Sequence, residues 1–413
     1  MTTNDPDKQQ QAKSGGLTLD VTDAENFTTI LAIAPSPHNQ SIIWVGTDDG
    51  NLQLTRDGGK NWTNLSNRLP GMPAGSWIPQ IVLSPHTAGE AFIVVNDYRR
   101  NNYTPMAFHT KDFGATFTRI VDRNQVHGHV ISIVQDPVSP NLLFLGTDYG
   151  LYWSINKGKN WMKWMEGFPS VSTSDLKIHP RDPDLIIGTF GRAAWIMDDI
   201  QPLRDLAEQG KGMLNQPFKA FDAPDAYMAQ YRSVEGMRFH ADATFSARNK
   251  PRGALLTVWV KSSGKEDKKE PKADKPAESK KKKGQKAETP SANSEEKAKT
   301  PKGPANKKLK VEVLDQQDKV IRTFHRKIEK DTGLVRFTWN MRKDGVRYPS
   351  WRTPKADADR PSGMGVLPGT YKVRYTWGDF MDSASVTVKQ DPRLEVSEAD
   401  LVAKARGYQE YYD

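Results

Sequence analysis

The chain has 413 residues, a formal net charge of +9 and no cysteine. The lack of cysteine excludes a disulfide-stabilised scaffold and catalysis by a thiol. The sequence contains neither an apolar run long enough to cross a membrane nor a signal peptide, and residues 1–16 are polar enough to predict a disordered lead-in.

Residues 17–199 contain four similar units, each beginning with a short apolar run that closes on a proline. The closing prolines, which are 50, 52 and 43 residues apart, are Pro35, Pro85, Pro137 and Pro180. A second apolar run follows in each unit, and these short, β-branched runs bounded by Gly, Pro, Asn or Asp are typical of strands. Two more strands complete each of the first three units. Four antiparallel strands in about fifty residues predict a β-propeller blade, so this region should hold three complete blades and the start of a fourth.

A turn motif separates the third and fourth strands of the first three units. It consists of a hydroxyl residue, then Asp or Asn two positions on, Gly after two more and an aromatic residue after three more. The copies are Thr55, Asp57, Gly59 and Trp62; Thr110, Asp112, Gly114 and Phe117; and Ser154, Asn156, Gly158 and Trp161. Short polar side chains bond nearby backbone amides, and Gly readily adopts a positive φ. The pattern therefore favours a structural role over a catalytic one, with the aromatic residue packed on the next blade.

A second β domain is predicted after the propeller. Residues 200–224 are expected to form a short helix and a linker. Short strands through residues 225–392, including Arg238 to Ala247 and Ala254 to Lys261, predict an immunoglobulin-like or fibronectin-like β-sandwich. The predicted fold class is therefore all-β.

A lysine-rich insertion, residues 263–308, interrupts the predicted sandwich. Lys265 to Lys308 holds 15 Lys and 8 Asp or Glu, a net charge of +7, with almost nothing apolar. We expect a disordered loop between two neighbouring strands. The stretch has no Arg and no aromatic residue for base stacking, which favours a solvated insertion over a specific nucleic-acid site.

The C-terminal residues 393–413 are predicted to form an amphipathic helix. Ser397 and Asp400 are typical of a capped start. The residues that fall on one face at helical spacing are Leu401, Ala405, Tyr408 and Tyr412.

The turn motif resembles the Asp-box, or BNR repeat, of sialidases, sortilins and xyloglucanases. The first copy fits fully, whereas Phe117 replaces Trp in the second and Asn156 replaces Asp in the third. Outside the lysine-rich insertion, the chain resembles a bacterial family of VPS10/sortilin-like BNR-repeat glycosyl hydrolases, most specifically from Gly188 to Leu203. Its members are longer, with more blades upstream, helices downstream and an export signal.

That resemblance implies that the chain is a C-terminal fragment with an open propeller of about 3.5 blades and a truncated C-terminal helix. Its partners would then include the missing upstream blades, and its full-length relatives would be periplasmic or extracellular. The strands near Ile30 to Ile33 and near Leu185 to Ile187 should be more exposed than the same positions in the central blades, because each would lack a neighbouring blade.

Binding residues are expected on the loops that precede the first strand of each blade and join its second and third strands. We call this side the loop face, and the opposite side, which carries the turn motifs, the turn face. The candidate residues are Trp77, Asp97, Tyr98, Arg99, Arg100, His127, His129, Asp148, Tyr149 and Arg192. Arginine beside aromatic residues suits recognition of a carboxylate or a sugar. His127 and His129 lack a visible third ligand, so neither a metal nor a cofactor is predicted.

Two functions are compatible with these residues. The favoured one is a non-catalytic binding or scaffold protein that presents its loops to a protein, peptide or glycan. The alternative is a sialidase-like or xyloglucanase-like glycoside hydrolase with an incomplete site. Such an enzyme commonly needs two carboxylates about 5 to 9.5 Å apart. Asp97 and Asp148 come from adjacent blades and are candidates, but no feature of the sequence selects them.

Overall fold

The computed structural model describes residues 5–9, 27–229, 250–261, 308–329, 332–347, 349, 351, 353–355 and 358–412. The described residues form two compact units. One comprises the residues up to Met213 with residues 250 and 251, and the other comprises residues 214–229 and those from Arg252 onwards. The predicted strand Arg238 to Ala247, residues 263–307 of the insertion and most of the predicted lead-in lie outside the described residues.

The first unit is built from four antiparallel sheets that follow one another along the chain. Blade 1 contains β1 (Ile30–Pro35), β2 (Ile43–Thr47), β3 (Leu52–Thr55) and β4 (Thr63–Asn64). Blade 2 contains β5 (Trp77–Leu83), β6 (Ala91–Asp97), β7 (Asn102–Thr110) and β8 (Thr118–Arg119). Blade 3 contains β9 (Val130–Gln135), β10 (Leu143–Thr147), β11 (Gly150–Ser154) and β12 (Met162–Lys163). Blade 4 contains β13 (Thr173–Ile178), β14 (Leu185–Thr189) and β15 (Ala194–Met197).

The innermost strands form an arc, in which β1 contacts β5, β5 contacts β9 and β9 contacts β13. All residues of strand β6 are buried, because this strand lies in a central blade with a neighbouring blade on each side. Ile93 and Val95 pack into the core shared with blade 1, whereas Phe92 and Val94 pack into the core shared with blade 3. The prediction of β-propeller blades, three with four strands and one incomplete, is confirmed.

The expected exposure of the outer blades is only partly correct. Ile33 in blade 1 is 66% exposed. Leu185 and Ile187 in blade 4 are buried, contrary to the prediction. Strand alternation explains the difference, because the exposed face of blade 4 carries Ile196, which pairs with Ile186 and is 63% exposed.

The turn motifs contain the expected local hydrogen bonds. In each copy the hydroxyl oxygen accepts a hydrogen bond from the Gly amide, and the glycines have φ angles of 96°, 75° and 78°. Backbone amides donate to Oδ1 of the acidic or amide residue at 2.9 Å in the pairs Asn61–Asp57, Thr116–Asp112 and Asn160–Asn156. The bonds from the amide and side chain of Asn61 lower the pKa of Asp57 to about 2. Each turn also bonds to the loop that joins the first two strands of its blade, through Gly58 to Ser41, Phe113 to Gly89 and Lys157 to Asn141.

In blades 2 and 3 the aromatic residue of the motif packs on the preceding blade, so the prediction that it packs on the next blade is wrong. Phe117 joins the core shared by blades 1 and 2. The indole Nε1 of Trp161 donates to Ile120 O in blade 2 at 2.7 Å, whereas Trp62 in blade 1 donates to its own turn, at Gly59 O. The turn can pack closely against the preceding blade because its Gly has no side chain. A Cβ on Gly114 would lie only 2.5 Å from Leu65 of blade 1.

A short helix, α1 (Gln201–Gln209), follows blade 4 and ends at Gly210. Arg204 of this helix is buried and pairs with the fully buried Asp136 at the end of β9, with an Nη2–Oδ2 distance of 2.9 Å. Asp136 also accepts hydrogen bonds from the amides of Val138 and Ser139. This buried pair fixes α1 to blade 3.

The second unit is a β-sandwich with a small additional sheet. One layer contains β16 (Phe218–Phe221), β18 (Ala254–Lys261) and β21 (Thr332–Trp339). The other contains β17 (Ala226–Tyr227), β25 (Phe380–Lys389), β24 (Gly369–Trp377), β19 (Lys308–Leu314) and β20 (Val320–Lys327). The small sheet contains β22 (Arg342–Asp344) and β23 (Ser362–Gly365). Both layers bury apolar side chains in one core, such as Val258 of β18 and Val373 of β24.

Two details differ from the sequence-based expectation. Strand β16 lies in the stretch predicted to be a linker. The lysine-rich insertion connects β18 with β19, which belong to different layers, so it does not join neighbouring strands. Local patterning marks strands but carries no information about which strands pair.

The last helix is α2 (Glu398–Tyr412). Ser397 Oγ accepts a hydrogen bond from the Asp400 amide at 3.2 Å, as the capping pattern predicts. No helix in the described part of the chain is long and apolar enough to cross a membrane.

Candidate binding site on the loop face

Side chains from blades 2 and 3 form one group on the loop face, in which two sets of side-chain contacts are joined through the consecutive residues Asp148 and Tyr149. We call this group the loop-face cluster, and its members are Trp77, Tyr98, Arg99, Tyr103, His127, His129, Asp148, Tyr149 and Lys163. The loops that carry most of them leave the ends of β6 and β10 or lead into β5 and β9. The cluster therefore lies where the propeller topology places side chains from adjacent blades side by side.

The half contributed by blade 2 is organised around Arg99. Its guanidinium carbon lies 3.4 Å from the centroid of the Trp77 ring, and its Nε donates to the Tyr98 hydroxyl at 3.3 Å. The chain folds tightly here because Asn101 adopts a left-handed φ of 59° and its amide donates to Tyr98 O. Stacking on Trp77 fixes the plane of the guanidinium group. A guanidinium group recognises a carboxylate through two parallel hydrogen bonds.

Asp97 and Arg100 hold this half in place. The Nε of Arg100 donates to Asp97 Oδ1 at 2.5 Å, and its Nη1 donates to Ala74 O at 2.8 Å. The second oxygen of Asp97 accepts a hydrogen bond from the Asn102 side chain at 3.1 Å. Because both oxygens of the carboxylate accept hydrogen bonds within the blade, Asp97 supports the loop.

The half contributed by blade 3 is centred on His129. Its ring stacks on Tyr98 with centroids 4.6 Å apart and lies 6.0 Å from Tyr103. The His129 Nδ1 is 3.4 Å from Asp148 Oδ2, which is longer than an ordinary hydrogen bond. Gly128 permits this arrangement, because a Cβ there would lie 1.8 Å from Asp148 Oδ1.

Several polar groups of the cluster are buried without full hydrogen bonding. Burial lowers the pKa of His129 below its usual value, although Asp148 opposes the change, so the ring is neutral at neutral pH. Among the described residues, Arg99 Nη1 and Asp148 Oδ1 are buried and have no hydrogen-bond partner. Buried polar groups are normally satisfied, so these two atoms mark a place where the cluster is incompletely paired.

Exposed aromatic rings border these buried groups. Tyr103 is 51% exposed and Tyr149 is 56% exposed. The Lys163 Nζ lies 4.5 Å from the Tyr149 ring, and His127 meets the same ring edge-on at 6.5 Å. The surface therefore offers two tyrosine rings beside a fixed arginine and a neutral histidine.

The structure separates the sequence candidates into three groups. Trp77, Tyr98, Arg99, His127, His129, Asp148 and Tyr149 belong to the cluster. Asp97 and Arg100 support it, and the exposed Arg192 in blade 4 has no hydrogen bond, ion pair or ring contact with it within the described part. His127 and His129 point to different rings, and the described residues contain no group of three or more His, Cys, Asp or Glu arranged to hold a metal ion.

Sequence reasoning missed Tyr103, Lys163 and Gly128. Tyr103 and Lys163 lie within strands rather than in the loops on which binding residues were expected. Gly128 was detectable as the residue between two histidines, and its positive φ of 78° gives it a defined role.

Blade 1 repeats part of the arrangement in blade 3. Asp48 occupies the position of Asp148, and in both blades its amide bonds to the carbonyl of the residue before the first strand, Thr29 or His129. Asp48 Oδ1 also accepts a hydrogen bond from the Thr29 amide at 2.7 Å. The shared Gly-Thr-Asp context thus marks a recurring loop, and Asp148 differs in lacking a hydrogen bond at Oδ1 within the described structure.

Comparisons with known proteins do not assign a family. No protein-family model and no curated protein matches the chain. Solved structures that resemble it include YCF48 bound to a D1 peptide, with a TM-score of 0.32 and 20% identity, covering 42% of this chain and 52% of that chain. A GH74 xyloglucanase from Xanthomonas campestris has a TM-score of 0.35 and 17% identity, covering 42% of this chain and 28% of the enzyme. The computationally designed protein Ika4 has a TM-score of 0.30 and 12% identity, covering 41% of this chain and 91% of Ika4. The chain thus spans about half the length of YCF48 and less than a third of the xyloglucanase, and likenesses at these TM-scores transfer neither family nor activity to it.

Proposed function

We propose that the chain is a non-catalytic binding protein of the sortilin-like BNR-repeat type that takes a protein or peptide ligand on the loop-face cluster. The observation that carries this proposal is the fixed Arg99, stacked on Trp77, beside the exposed rings of Tyr103 and Tyr149. Trp, Tyr and Arg are the residues that contribute most binding energy at protein interfaces. Rigid aromatic side chains bind with a small loss of conformational entropy.

The polar groups of the cluster define what the ligand presents. Arg99 suits a carboxylate, either an acidic side chain or a chain terminus. The Asp148 side chain is 31% exposed, so its carboxylate can accept a hydrogen bond from a ligand N–H. A peptide supplies both groups on one backbone.

The alternative function, glycoside hydrolysis, has less support from the site. Both oxygens of Asp97 accept hydrogen bonds from Arg100 and Asn102, so this carboxylate is not available as an acid or nucleophile. Asp148 is then the only carboxylate of the cluster. Hydrolysis of xyloglucan or of a sialoside by the full chain, abolished by Asp148→Asn, would replace our proposal.

A phage-displayed random peptide library tests the proposal with the full chain as bait. Washing at high salt removes phage held only by long-range attraction to lysine. The Arg99→Gln variant is compared with Arg56→Gln, a matched control in which the guanidinium carbon lies 4.3 Å from the Phe113 ring on the turn face. We expect the wild type to enrich peptides that carry a carboxylate. Arg99→Gln should fail to enrich these peptides, whereas Arg56→Gln should enrich them as the wild type does. Enrichment that survives Arg99→Gln would refute the proposal.

A further inference from the structure

A second surface, on the turn face between blades 2 and 3, is open and basic. A cavity of about 640 Å³ is lined by residues of both turn motifs and by most of residues 118–125, which form the last strand of blade 2 and the segment after it. A neighbouring cavity of about 630 Å³ shares Lys111, Lys157 and Lys159 with it. We call the two cavities together the basic cleft.

Cations outnumber carboxylates along this cleft. The cationic residues that line it are Lys111, Arg119, Arg123, Lys157, Lys159 and Lys211. The carboxylates that line it are Asp122 and Glu208. The potential along the cleft is therefore positive, and burial together with the charge of Arg123 lowers the pKa of Arg119.

Not all of these cations are available to a ligand. The Lys157 ammonium lies 2.9 Å from the buried carboxylate of Glu90, and Arg119 donates to the carbonyls of Pro105 and Val121. Lys111 and Lys159 are exposed, and their ammonium groups have no hydrogen bond or ion pair within the described residues. These two ammonium groups from adjacent turns are free to meet an anion.

We propose that the basic cleft binds an extended acidic segment of a polypeptide. Free lysine ammonium groups act as point charges that attract carboxylates. The described residues that line the cleft include no Phe, Tyr or Trp, and the ring of the buried His109 is already stacked on Phe92 and bonded to Glu90. Sugar rings and nucleic-acid bases therefore find no free stacking partner there. Amide side chains such as Asn141 and Asn160 line it instead, and these suit a peptide backbone. This site is separate from the loop-face cluster, so either proposal can fail alone.

Residue-resolved lysine labelling tests the proposal. The full chain is acetylated with an N-hydroxysuccinimide ester, with and without an octaglutamate peptide, and each lysine is quantified by mass spectrometry. Lys60 is the matched control, because it occupies in blade 1 the same motif position as Lys159 but lies outside the cleft. We expect octaglutamate to slow acetylation of Lys111 and Lys159 by about threefold, with Lys60 unchanged and octaglutamine without effect.

Two results would overturn the proposal. One is protection confined to the lysine-rich insertion or equal at Lys60 and Lys159. The other is protection by heparin or duplex DNA where octaglutamate gives none. Fluorescence anisotropy of labelled octaglutamate provides a second measurement, in which Lys159→Gln should weaken binding about two- to fivefold more than Lys60→Gln. Equal effects of the two substitutions would likewise refute the site.

Discussion

Replacing Glu90 by Gln should weaken the contact between blades 2 and 3. Glu90 is 2% exposed, and its Oε1 lies 2.7 Å from His109 Nε2 and 2.9 Å from Lys157 Nζ. His109 stacks on Phe92 in blade 2, whereas Lys157 belongs to the turn motif of blade 3. One buried carboxylate therefore connects the two blades.

The size of the effect follows from the ionisation of Glu90. Burial by itself raises the pKa of Glu90, but the hydrogen bonds from His109 and Lys157 outweigh it and lower the pKa from 4.5 to about 2. This difference corresponds to about 3 kcal/mol of folding free energy at neutral pH. Gln retains one acceptor oxygen but no charge, so we expect Glu90→Gln to lower the free energy of unfolding by about 2–3 kcal/mol.

The pH dependence has a defined sign. Because the pKa of Glu90 is lower in the folded protein than in the unfolded chain, its contribution is complete above a pH of 4.5 and is lost as the pH falls towards 2. The difference in stability between the wild type and Glu90→Gln should therefore narrow over that range.

Urea unfolding at a series of pH values measures this difference. Glu208→Gln is the matched control, because Glu208 is exposed on α1 and its substitution should have little effect. A loss smaller than about 0.5 kcal/mol at neutral pH would refute the reasoning, since that is within the range of ordinary surface substitutions. A loss that does not change with pH would also refute it.

Substitutions at four further sites test other contacts in the structure. Asp112→Ala should lower the free energy of unfolding by about 1 kcal/mol because the hydrogen bonds to Thr116 are lost, a modest value since the side chain is exposed. Asp112→Asn should be nearly neutral, because Asn156 makes the same backbone bond in blade 3. Urea unfolding distinguishes the two variants. Gly128→Ala should lower the melting temperature more than Gly167→Ala, because both glycines have positive φ but only Gly128 lies against Asp148. Equal decreases in melting temperature would show that the position of Asp148 does not depend on this close approach. Burial raises the pKa of Asp48 from 3.8 to about 6, so its charge costs stability as the pH rises through that range, and Asp48→Asn should raise the free energy of unfolding at neutral pH by on the order of 1–3 kcal/mol. Asp49→Asn should have the opposite effect, because bonds from Lys8, Thr47 and Asn51 outweigh burial and lower the pKa of Asp49; two changes of the same sign would contradict this assignment.

The blades were predictable because their signals are local. Strand alternation, the spacing of the prolines and the turn motif each depend on residues within one blade. Contacts between blades were not predictable in the same way. The turn motif shows the limit, since its hydrogen bonds are local while the direction in which Trp161 packs depends on the neighbouring blade.

A second repeat also escaped the sequence analysis. A Ser-Pro-His sequence occupies residues 36–38 in blade 1 and 84–86 in blade 2, and the Nε2 of each histidine bonds to a carbonyl of the following blade, at Ser84 for His38 and at Asp136 for His86. The corresponding residue in blade 3 is Val138, so the pattern is incomplete in sequence. The role of these histidines is evident only from the structure, because their hydrogen bonds join successive blades.

The loop-face candidates illustrate the same distinction. Blade topology alone predicts that Arg99, His129 and Asp148 lie on one face. Sequence could not show that Asp97 is held by Arg100, or that Tyr103 reaches His129 from within a strand. Both facts depend on side-chain conformation, within one loop for Asp97 and Arg100 and between two blades for Tyr103 and His129.

The central claim is that the loop-face cluster is the binding site. The most direct test is the affinity of one selected peptide for the full chain. Isothermal titration would compare the wild type with Arg99→Gln and with the control Arg56→Gln, whose arginine stacks on Phe113 at the turn face. The account predicts at least a tenfold weaker affinity for Arg99→Gln, about the effect of removing a central interface arginine, and an unchanged affinity for Arg56→Gln. Equal affinities of the wild type and Arg99→Gln would contradict the assignment of the site.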